Sequence, residues 1–149
     1  MSDPILQLWL YNNWANELFL NALKQNPDAG PKCLRLFSHI TNAQLIWMSR
    51  IAGEEQPVGV WDEQSLATCE EHHLIFIARM PGIFSNKEET TAITYKNTQN
   101  VIFRDAMRDI LLHTFNHGTY HRAQLAQGMK RNRIEPPVSD YIIFKRLGY

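Results

Sequence analysis

The chain has 149 residues, which suits one domain with its own hydrophobic core, so residues 1–149 are expected to form a single unit. Fifteen Lys and Arg residues balance fifteen Asp and Glu residues, and no basic stripe runs along the chain, so nucleic acid is not an expected partner. The apolar runs are too short to cross a membrane and the first residues lack the pattern of a signal peptide, which predicts a cytoplasmic protein with no membrane partner.

The first predicted helix begins at Asp3-Pro4, a cap followed by a first-turn proline, and ends before Asn26-Pro27. Its apolar residues cover more than one stripe, so we expect contacts on two sides of the helix. A homodimer that buries Leu8 or Trp9 is the expected use of the second side, and packing against the closing segment 137–149 is the alternative.

Two further helices are predicted before the middle of the chain. The second opens at Gly30-Pro31 and runs for about 20 residues, because apolar residues recur there at helical spacing. The Pro, Gly and acidic residues of 54–64 predict a loop. Asp62 or Ser65 can cap a third helix, which reaches about Met80-Pro81-Gly82.

Two pairs of residues with metal-binding side chains are expected to have ordinary roles. His72 and His73 are neighbours that point about 100° apart on a helix, so they cannot readily share one ion, and surface or packing roles are expected. Cys33 and Cys69 lack CxxC spacing, so they are expected to be reduced, partly buried thiols.

The second half of the chain predicts a hairpin and two helices. Residues Thr90–Phe103 carry β-forming residues around a polar centre, which predicts a short hairpin. A fourth long helix starts near Arg104 and ends near Asn132, and a short closing helix is capped by Ser139. The predicted fold is all-α, an antiparallel four-helix bundle with a small β-hairpin insertion and a short C-terminal helix.

The stretch HTFNHGTYHRAQ carries His113, His117 and His121 at four-residue spacing on the fourth helix. Imidazoles four residues apart can reach one ion at about 2.1 Å each, whereas residues eight apart are separated by about 12 Å along the axis. The centre of the apolar face lies roughly 80° from His121, 120° from His117 and 160° from His113. Metal sites in bundles use inward-facing residues, so the pair 117/121 is favoured over 113/117.

His39 is the candidate for a third ligand. It lies about 100° from the apolar stripe of the second helix, again on a flank of the core. His39, His117 and His121 could therefore converge from two helices, and three neutral imidazoles with open positions beyond them are typical of a catalytic metal site. By itself the HxxxH spacing leaves metal binding and packing open as alternatives.

Segments spread over nearly the whole chain resemble the DinB/YfiT-like metalloenzyme superfamily, which shares only a name with an error-prone DNA polymerase. They are YNNWAN (11–16), SHITNAQLIW (38–47), the hairpin region (90–103), NHGTYHRAQ (116–124) and PPVSDYI (136–142). The resemblance implies an antiparallel four-helix bundle with a divalent ion held by His39, His117 and His121. One departure is Ala123, where the family pattern reads HRGQ, and a methyl on the outer side of the helix is not expected to disturb the ion.

The resemblance also implies an activity. Similar proteins include S-transferases that use low-molecular-weight thiols such as bacillithiol or mycothiol, thiol-dependent isomerases, and metal-dependent hydrolases. Transfer of a thiol cosubstrate to a small electrophile is our first expectation. Attack by metal-activated water on a small substrate is the second, and a non-enzymatic stress-response bundle that the metal stabilises is the third. Zinc or nickel is the expected ion, although imidazole also suits copper and iron.

Four polar residues are candidates to support the ligands. Metal-bound imidazoles usually donate their other N–H to a neighbour, and Asn116, Gln124, Asn42 and Asp140 have side chains of the right type. An ordinary capping or surface role is the alternative for each. Gly118 would let the first helix or a ligand approach closely, and tight helix packing is an equal alternative.

Overall fold

The computed structural model describes residues 3–148, and this part of the chain is mostly helical. Its elements in chain order are α1 (Asp3–Gln25), α2 (Pro31–Ala52), α3 (Leu66–Asn86), β1 (Ala92–Lys96), β2 (Ile102–Ala106), α4 (Met107–Arg131) and α5 (Tyr141–Arg146). A 3-10 turn at Pro27–Ala29 joins α1 to α2. None of the helices in residues 3–148 is long and apolar enough to cross a membrane.

The four long helices pack against one another around two apolar clusters. The helix α2 contacts α3 and α4, and α1 contacts the same two helices. One cluster lies on the side of the hairpin and contains Phe76 and Met107, and the other lies near the α1–α2 turn and contains Phe19 and Phe37. Full burial of such a side chain stabilises the fold by about 1.5–3 kcal/mol. The residues predicted to form the apolar face of α4 are all buried: Leu111, Phe115, Leu125 and Met129.

The third helix is longer than predicted, because it continues through Pro81 to Asn86. A proline inside a helix loses one backbone hydrogen bond and costs about 3 kcal/mol. Ile83 is buried in the core beyond it, and Phe84 packs edge-on against Trp9 with ring centroids 5.5 Å apart. Burial of this last turn offsets the cost of the proline. Of the two predicted caps, Ser65 fulfils the role, since its hydroxyl accepts from the Thr68 N–H at 3.1 Å.

The hairpin is confirmed, but it extends past Phe103 to Ala106, so the prediction that α4 starts near Arg104 is wrong. The residues 104–106 pair in register with 92–94 of β1. The side chain of Tyr95 also crosses the hairpin and donates from its hydroxyl to Asp105 at 2.7 Å. These cross-strand contacts hold residues 104–106 in the extended conformation, and α4 begins only at Met107.

The prediction that Ser139 caps the closing helix is wrong. The N-cap of α5 is Asp140, which makes no side-chain capping bond, and the carbonyl of Ser139 instead accepts from the Tyr11 hydroxyl at 2.7 Å. The buried ring of Phe144 packs against Tyr11 and Trp14 of α1. The closing segment therefore covers part of the second apolar side of α1. The homodimer stays a prediction.

A buried arginine joins α4 to α1. Arg122 is 2% exposed, and its Nη1 donates to the side-chain oxygens of Asn12 at 2.9 Å and Asn16 at 2.8 Å. A Cβ at Gly118 would lie 2.8 Å from the Asn12 oxygen and 3.0 Å from the Arg122 Nη1. Of the alternatives considered for Gly118, the structure favours close approach of α1, because the missing side chain leaves room for this polar contact.

His73 has the packing role expected of it, in a buried polar environment. Its side chain is 1% exposed, neither ring nitrogen has a hydrogen-bond partner within residues 3–148, and a carboxylate oxygen of Glu17 is 3.9 Å away. Burial is the main reason that the pKa of His73 falls to about 4, and the charge of Arg122 lowers it further. The folded protein therefore holds this imidazole neutral at pH 7.

We expect the stability of the metal-free protein to depend on pH through His73. The unfolded chain takes up the proton near pH 6.5 and the folded protein only near pH 4. The free energy of unfolding is therefore highest above pH 6.5. It decreases as the pH falls, by about 3 kcal/mol between pH 7 and pH 4, because the unfolded chain takes up the proton first. Urea unfolding at several pH values measures this slope.

In the His73→Gln variant, most of this decrease in unfolding free energy between pH 7 and pH 4 should be absent. The neighbouring His72→Gln is the matched control, and because His72 is only half-buried its effect on the slope should be smaller. Equal slopes for wild type and His73→Gln would show that His73 does not titrate in this way.

Candidate metal centre

Three histidines from two helices meet at one point. The Nε2 atom of His39 on α2 lies 3.2 Å from the Nε2 atoms of both His117 and His121 on α4. The donor atoms of all three lie within 4.8 Å of one another. His121 is 8% exposed, His117 is half-buried and His113 is exposed, which is the order predicted from rotation around α4. The structure therefore brings together the pair at 117 and 121 with His39.

The loop between α2 and α3 orients His39. The Nδ1–H of His39 donates to the carbonyl of Val60 at 2.9 Å, because a carbonyl oxygen can only accept. The indole of Trp61 stacks on the same imidazole, with ring centroids 3.7 Å apart and planes within 6°. The proton of neutral His39 is thus on Nδ1, and the lone pair of Nε2 faces the other two histidines.

Asn42 and Ser38 hold this loop against α2. The Asn42 side chain donates to the carbonyl of Asp62 at 2.8 Å and to that of Gly59 at 3.3 Å. The backbone N–H of Gln64 donates to the Ser38 hydroxyl at 3.1 Å. Asn42 therefore supports the site indirectly. It holds the backbone on both sides of Val60, whose carbonyl accepts the hydrogen bond from His39, and it makes no hydrogen bond to an imidazole.

Gln124 orients His121 in the same way. The Nδ1–H of His121 donates a hydrogen bond to the Gln124 side-chain oxygen at 2.9 Å. Gln124 is three residues after His121, so both side chains lie on the same face of α4. The Nε2 lone pair of His121 is therefore also directed toward the point where the three rings meet.

The donor set fits a divalent ion. The Nε2 atoms of His39 and His121 are 3.2 Å apart, and both rings carry their proton on Nδ1. The two Nε2 lone pairs therefore repel each other, and a cation between them would remove this repulsion. Bonds of about 2.1 Å in tetrahedral or octahedral geometry separate neighbouring nitrogen ligands by roughly 3.0–3.4 Å. The observed separations of 3.2 Å fall in that interval. Two of the three donor separations therefore suit a shared ion, and all three donors lie within 4.8 Å of one another.

Two of the three imidazoles, those of His39 and His117, are held neutral near pH 7. Burial, followed by the neighbouring imidazoles of His121, His39 and His113, lowers the pKa of His117 to about 3. Burial also lowers the pKa of His39, although its hydrogen bond to Val60 opposes the shift. Neutral imidazole is the form that binds metals, so neither His39 nor His117 has to lose a proton to accept an ion at neutral pH.

The remaining predicted residues lie elsewhere. Asn116 is exposed and lines a separate groove with Leu8 and Tyr11 of α1. Asp140 is exposed at the start of α5. The structure gives neither side chain a hydrogen bond to an imidazole. Ala123 is exposed, so its methyl group points away from the site, as expected.

Sequence reasoning missed Val60 and Trp61. Both lie in the segment that was predicted only as a loop, and their role depends on how α2 holds that loop. The signal in the sequence that could have pointed to Trp61 is a tryptophan within a polar, acidic loop. Its contact with His39 covers one side of the histidine cluster.

A cleft opens on another side of the cluster. It has a volume of about 330 Å³ and runs from His39 and His117 toward the C-terminal end of α2 and the hairpin. Its wall is largely apolar and aromatic, and includes Ile46, Trp47 and Phe103. A small molecule in this cleft would touch two of the three candidate ligands.

Two comparisons relate the chain to known proteins. The family model described as the DinB family matches residues 1–148. Protein DinB of Bacillus subtilis (strain 168) is 24% identical to the chain over 163 aligned residues, which cover 97% of this chain and 95% of that protein. The match thus extends over all three histidines.

Gln124 and Asn116 offer a matched pair of substitutions. The Gln124→Leu variant should weaken metal binding by about 10- to 100-fold, because His121 loses the acceptor that fixes its tautomer. Asn116→Ala should leave metal affinity unchanged. Competition with a chromophoric chelator measures both affinities. Equal affinities for wild type and Gln124→Leu, with the helical content intact, would contradict the assigned role of Gln124.

Proposed function

The chain belongs to the DinB family, and we propose that it is a metal-dependent enzyme whose divalent ion is held by His39, His117 and His121. The observation that carries this proposal is the arrangement of the donors. Two imidazoles have their Nδ1 protons engaged by Val60 and Gln124, which leaves their Nε2 lone pairs directed at one point. Zinc and nickel are the ions we propose, since both accept three imidazole ligands.

Three protein ligands leave room for a reactant. A four-coordinate ion with three histidines keeps one position for a small ligand, which is typical of catalytic sites. A bound divalent ion would lower the pKa of a coordinated thiol or water and so supply a nucleophile near neutral pH. The cleft beside His39 and His117 would admit the substrate, and Trp61 would limit access of water from the side that it covers.

Thiol transfer is the reaction we propose. The protein's own cysteines are unsuitable nucleophiles, since Cys33 and Cys69 are fully buried and burial raises the pKa of both thiols. The nucleophile would therefore be a low-molecular-weight thiol that enters the cleft. Within the described part of the chain, no Asp or Glu lines the cleft, so these residues offer no carboxylate to act as a general base for water. This absence favours a thiol over hydrolysis of the substrate by water.

The proposal includes the finer architecture predicted from the sequence. We propose that the four long helices form an antiparallel four-helix bundle, and the pairwise packing of α1 and α2 against α3 and α4 supports this. We also propose that the protein acts on a small-molecule substrate, forms a homodimer and is located in the cytoplasm. A non-enzymatic bundle stabilised by the metal is the outcome left if no reactant reaches the ion.

The metal content of histidine variants tests the ligand set. His39→Ala protein, purified without a histidine tag, should lose most of its bound metal, because two imidazoles hold an ion poorly. His113→Ala should keep the wild-type content, since the exposed His113 lies one turn before the cluster. Metal analysis by mass spectrometry measures both. Full metal content in His39→Ala, or loss of metal from a folded His113→Ala variant, would mean that the ligand set is wrong.

A reactant screen tests the proposed reaction. Adding a suitable small thiol to nickel-loaded protein should produce a sulfur-to-metal charge-transfer absorption, and the thiol should be transferred to an electrophile such as an activated aryl halide. His117→Ala should abolish both signals. If a broad panel of thiols gave neither signal while an ester or amide was cleaved with metal dependence, hydrolysis would replace thiol transfer. If no reaction appeared, the non-enzymatic account would stand.

A further inference from the structure

The cleft that begins at the histidine cluster ends at a single cation. Arg50 lies in the last turn of α2, and it is the only residue with a formal charge among those that line the cleft. Its guanidinium carbon is 4.5 Å from the ring centroid of Trp47 and 5.1 Å from that of Tyr95. Stacking on two aromatic rings holds a guanidinium in place while leaving its N–H groups available at the edge.

Arg50 has no acidic partner within residues 3–148. In the following loop, Glu54 is already paired with Arg79 through both carboxylate oxygens, and Glu55 lines a neighbouring pocket with Arg50 without forming a salt bridge to it. The carboxylate of Asp105 accepts from the Tyr95 hydroxyl. The hydrogen bond that the Arg50 side chain does make is long, 3.5 Å to the Gln56 side-chain oxygen. Most of its five N–H donors therefore remain available to a ligand.

An arginine near a helix C-terminus can simply complement the helix dipole. Here the guanidinium is folded back over Trp47, one turn toward the histidines. Two carbonyls of the last turn of α2 have other partners, because that of Ser49 accepts from the Glu54 N–H at 2.9 Å and that of Arg50 accepts from the Gly53 N–H at 3.3 Å. The guanidinium therefore lies over Trp47 at one end of the cleft, although Arg50 itself belongs to the last turn of α2.

We propose that Arg50 binds the carboxylate of a small molecule whose other end reaches the histidine cluster. The inference rests on the proposed function, because the reacting end of this molecule would lie at the metal. Residues 39 and 47 are about 12 Å apart along the axis of α2, so the molecule carries its carboxylate roughly two helical turns from its reacting group. The side chains of Ala43 and Ile46 lie between these ends and suit an apolar linker.

The chemistry of the site favours a carboxylate over a phosphate. A guanidinium matches a carboxylate with two parallel hydrogen bonds. Among residues 3–148, Arg50 is the one formally charged residue that lines the cleft, and it lies near the negative end of the α2 dipole, which disfavours the second charge of a dianion. The ligand class is therefore a monocarboxylic acid with an apolar linker and a thiol, or a group that accepts a thiol, at its far end.

A matched pair of thiols tests the proposal in nickel-loaded protein. Titration of the charge-transfer absorption should show that ω-mercaptohexanoate binds at least about tenfold more tightly than mercaptohexanol, which lacks the carboxylate. Arg50→Met keeps the long apolar stem and should make the two affinities equal. Arg35→Met is the control, because Arg35 lies on the same helix and over Trp61 but already pairs with Glu63 at 3.8 Å. This control variant should keep the wild-type preference.

A second experiment uses metal-free protein and therefore does not depend on the ion. Hexanoate should shift the NMR signal of the Trp47 indole N–H in wild type but not in Arg50→Met, and hexanol should leave it unchanged. Equal binding of the two thiols in wild type, a preference that survives in Arg50→Met, or tighter binding of hexyl phosphate than of hexanoate would each overturn the proposal. Absence of bound nickel would contradict the proposed function, and the metal-free titration would still decide whether Arg50 binds a carboxylate.

Discussion

His39 donates a hydrogen bond from Nδ1 to the carbonyl of Val60, and His121 donates one from Nδ1 to the side-chain oxygen of Gln124. The Nε2 atoms of these two rings, each with a lone pair, are therefore left 3.2 Å apart. Two lone pairs at this distance repel each other unless a proton or a cation lies between them. Burial also lowers the pKa of His117 to about 3, so this third ring is neutral near pH 7, which is the form that binds a metal ion. The folded chain thus holds a site whose electrostatics favour a metal ion.

Much of the surrounding structure maintains this arrangement. Ser38, His39 and Asn42 lie on one stretch of α2, and all three bond to the loop that supplies the Val60 carbonyl. On α4, Gln124 orients His121 while Arg122 fixes the helix against α1 through Asn12 and Asn16. Arg122 is buried among neutral partners, and the desolvation of its charge has to be offset by these hydrogen bonds and by packing. The adjacent residues His121 and Arg122 therefore have different roles: His121 faces the candidate metal site, and Arg122 joins α4 to α1 in the core.

The sequence predicted the histidine cluster because helical geometry is regular. A rotation of about 100° per residue ranks the three histidines of α4 by distance from the apolar face, and their exposure follows that rank. The same regularity predicted the long helices to within a few residues at most of their ends. A family resemblance supplied His39 as the third ligand independently of the rotation argument.

The errors lie where distant contacts decide local structure. The helix α3 passes Pro81 because Ile83 and Phe84 gain burial beyond it, and residues 104–106 stay in β2 because they pair with β1. Ser139 does not cap α5, since its carbonyl is engaged by Tyr11 from the opposite end of the chain. Val60 and Trp61 were missed for the same reason, because a loop's contact with a histidine on another element leaves no periodic signal.

The protonation of the imidazoles in metal-free protein tests the central claim most directly. Two-dimensional NMR that correlates ring nitrogens with ring protons assigns the tautomer of each histidine at neutral pH. The account predicts that His39 and His121 are neutral with the proton on Nδ1, and that one equivalent of zinc shifts the Nε2 signals of these two residues and of His117. A proton on Nε2 of His39 or His121, or zinc-induced shifts that leave His39 unaffected, would contradict it.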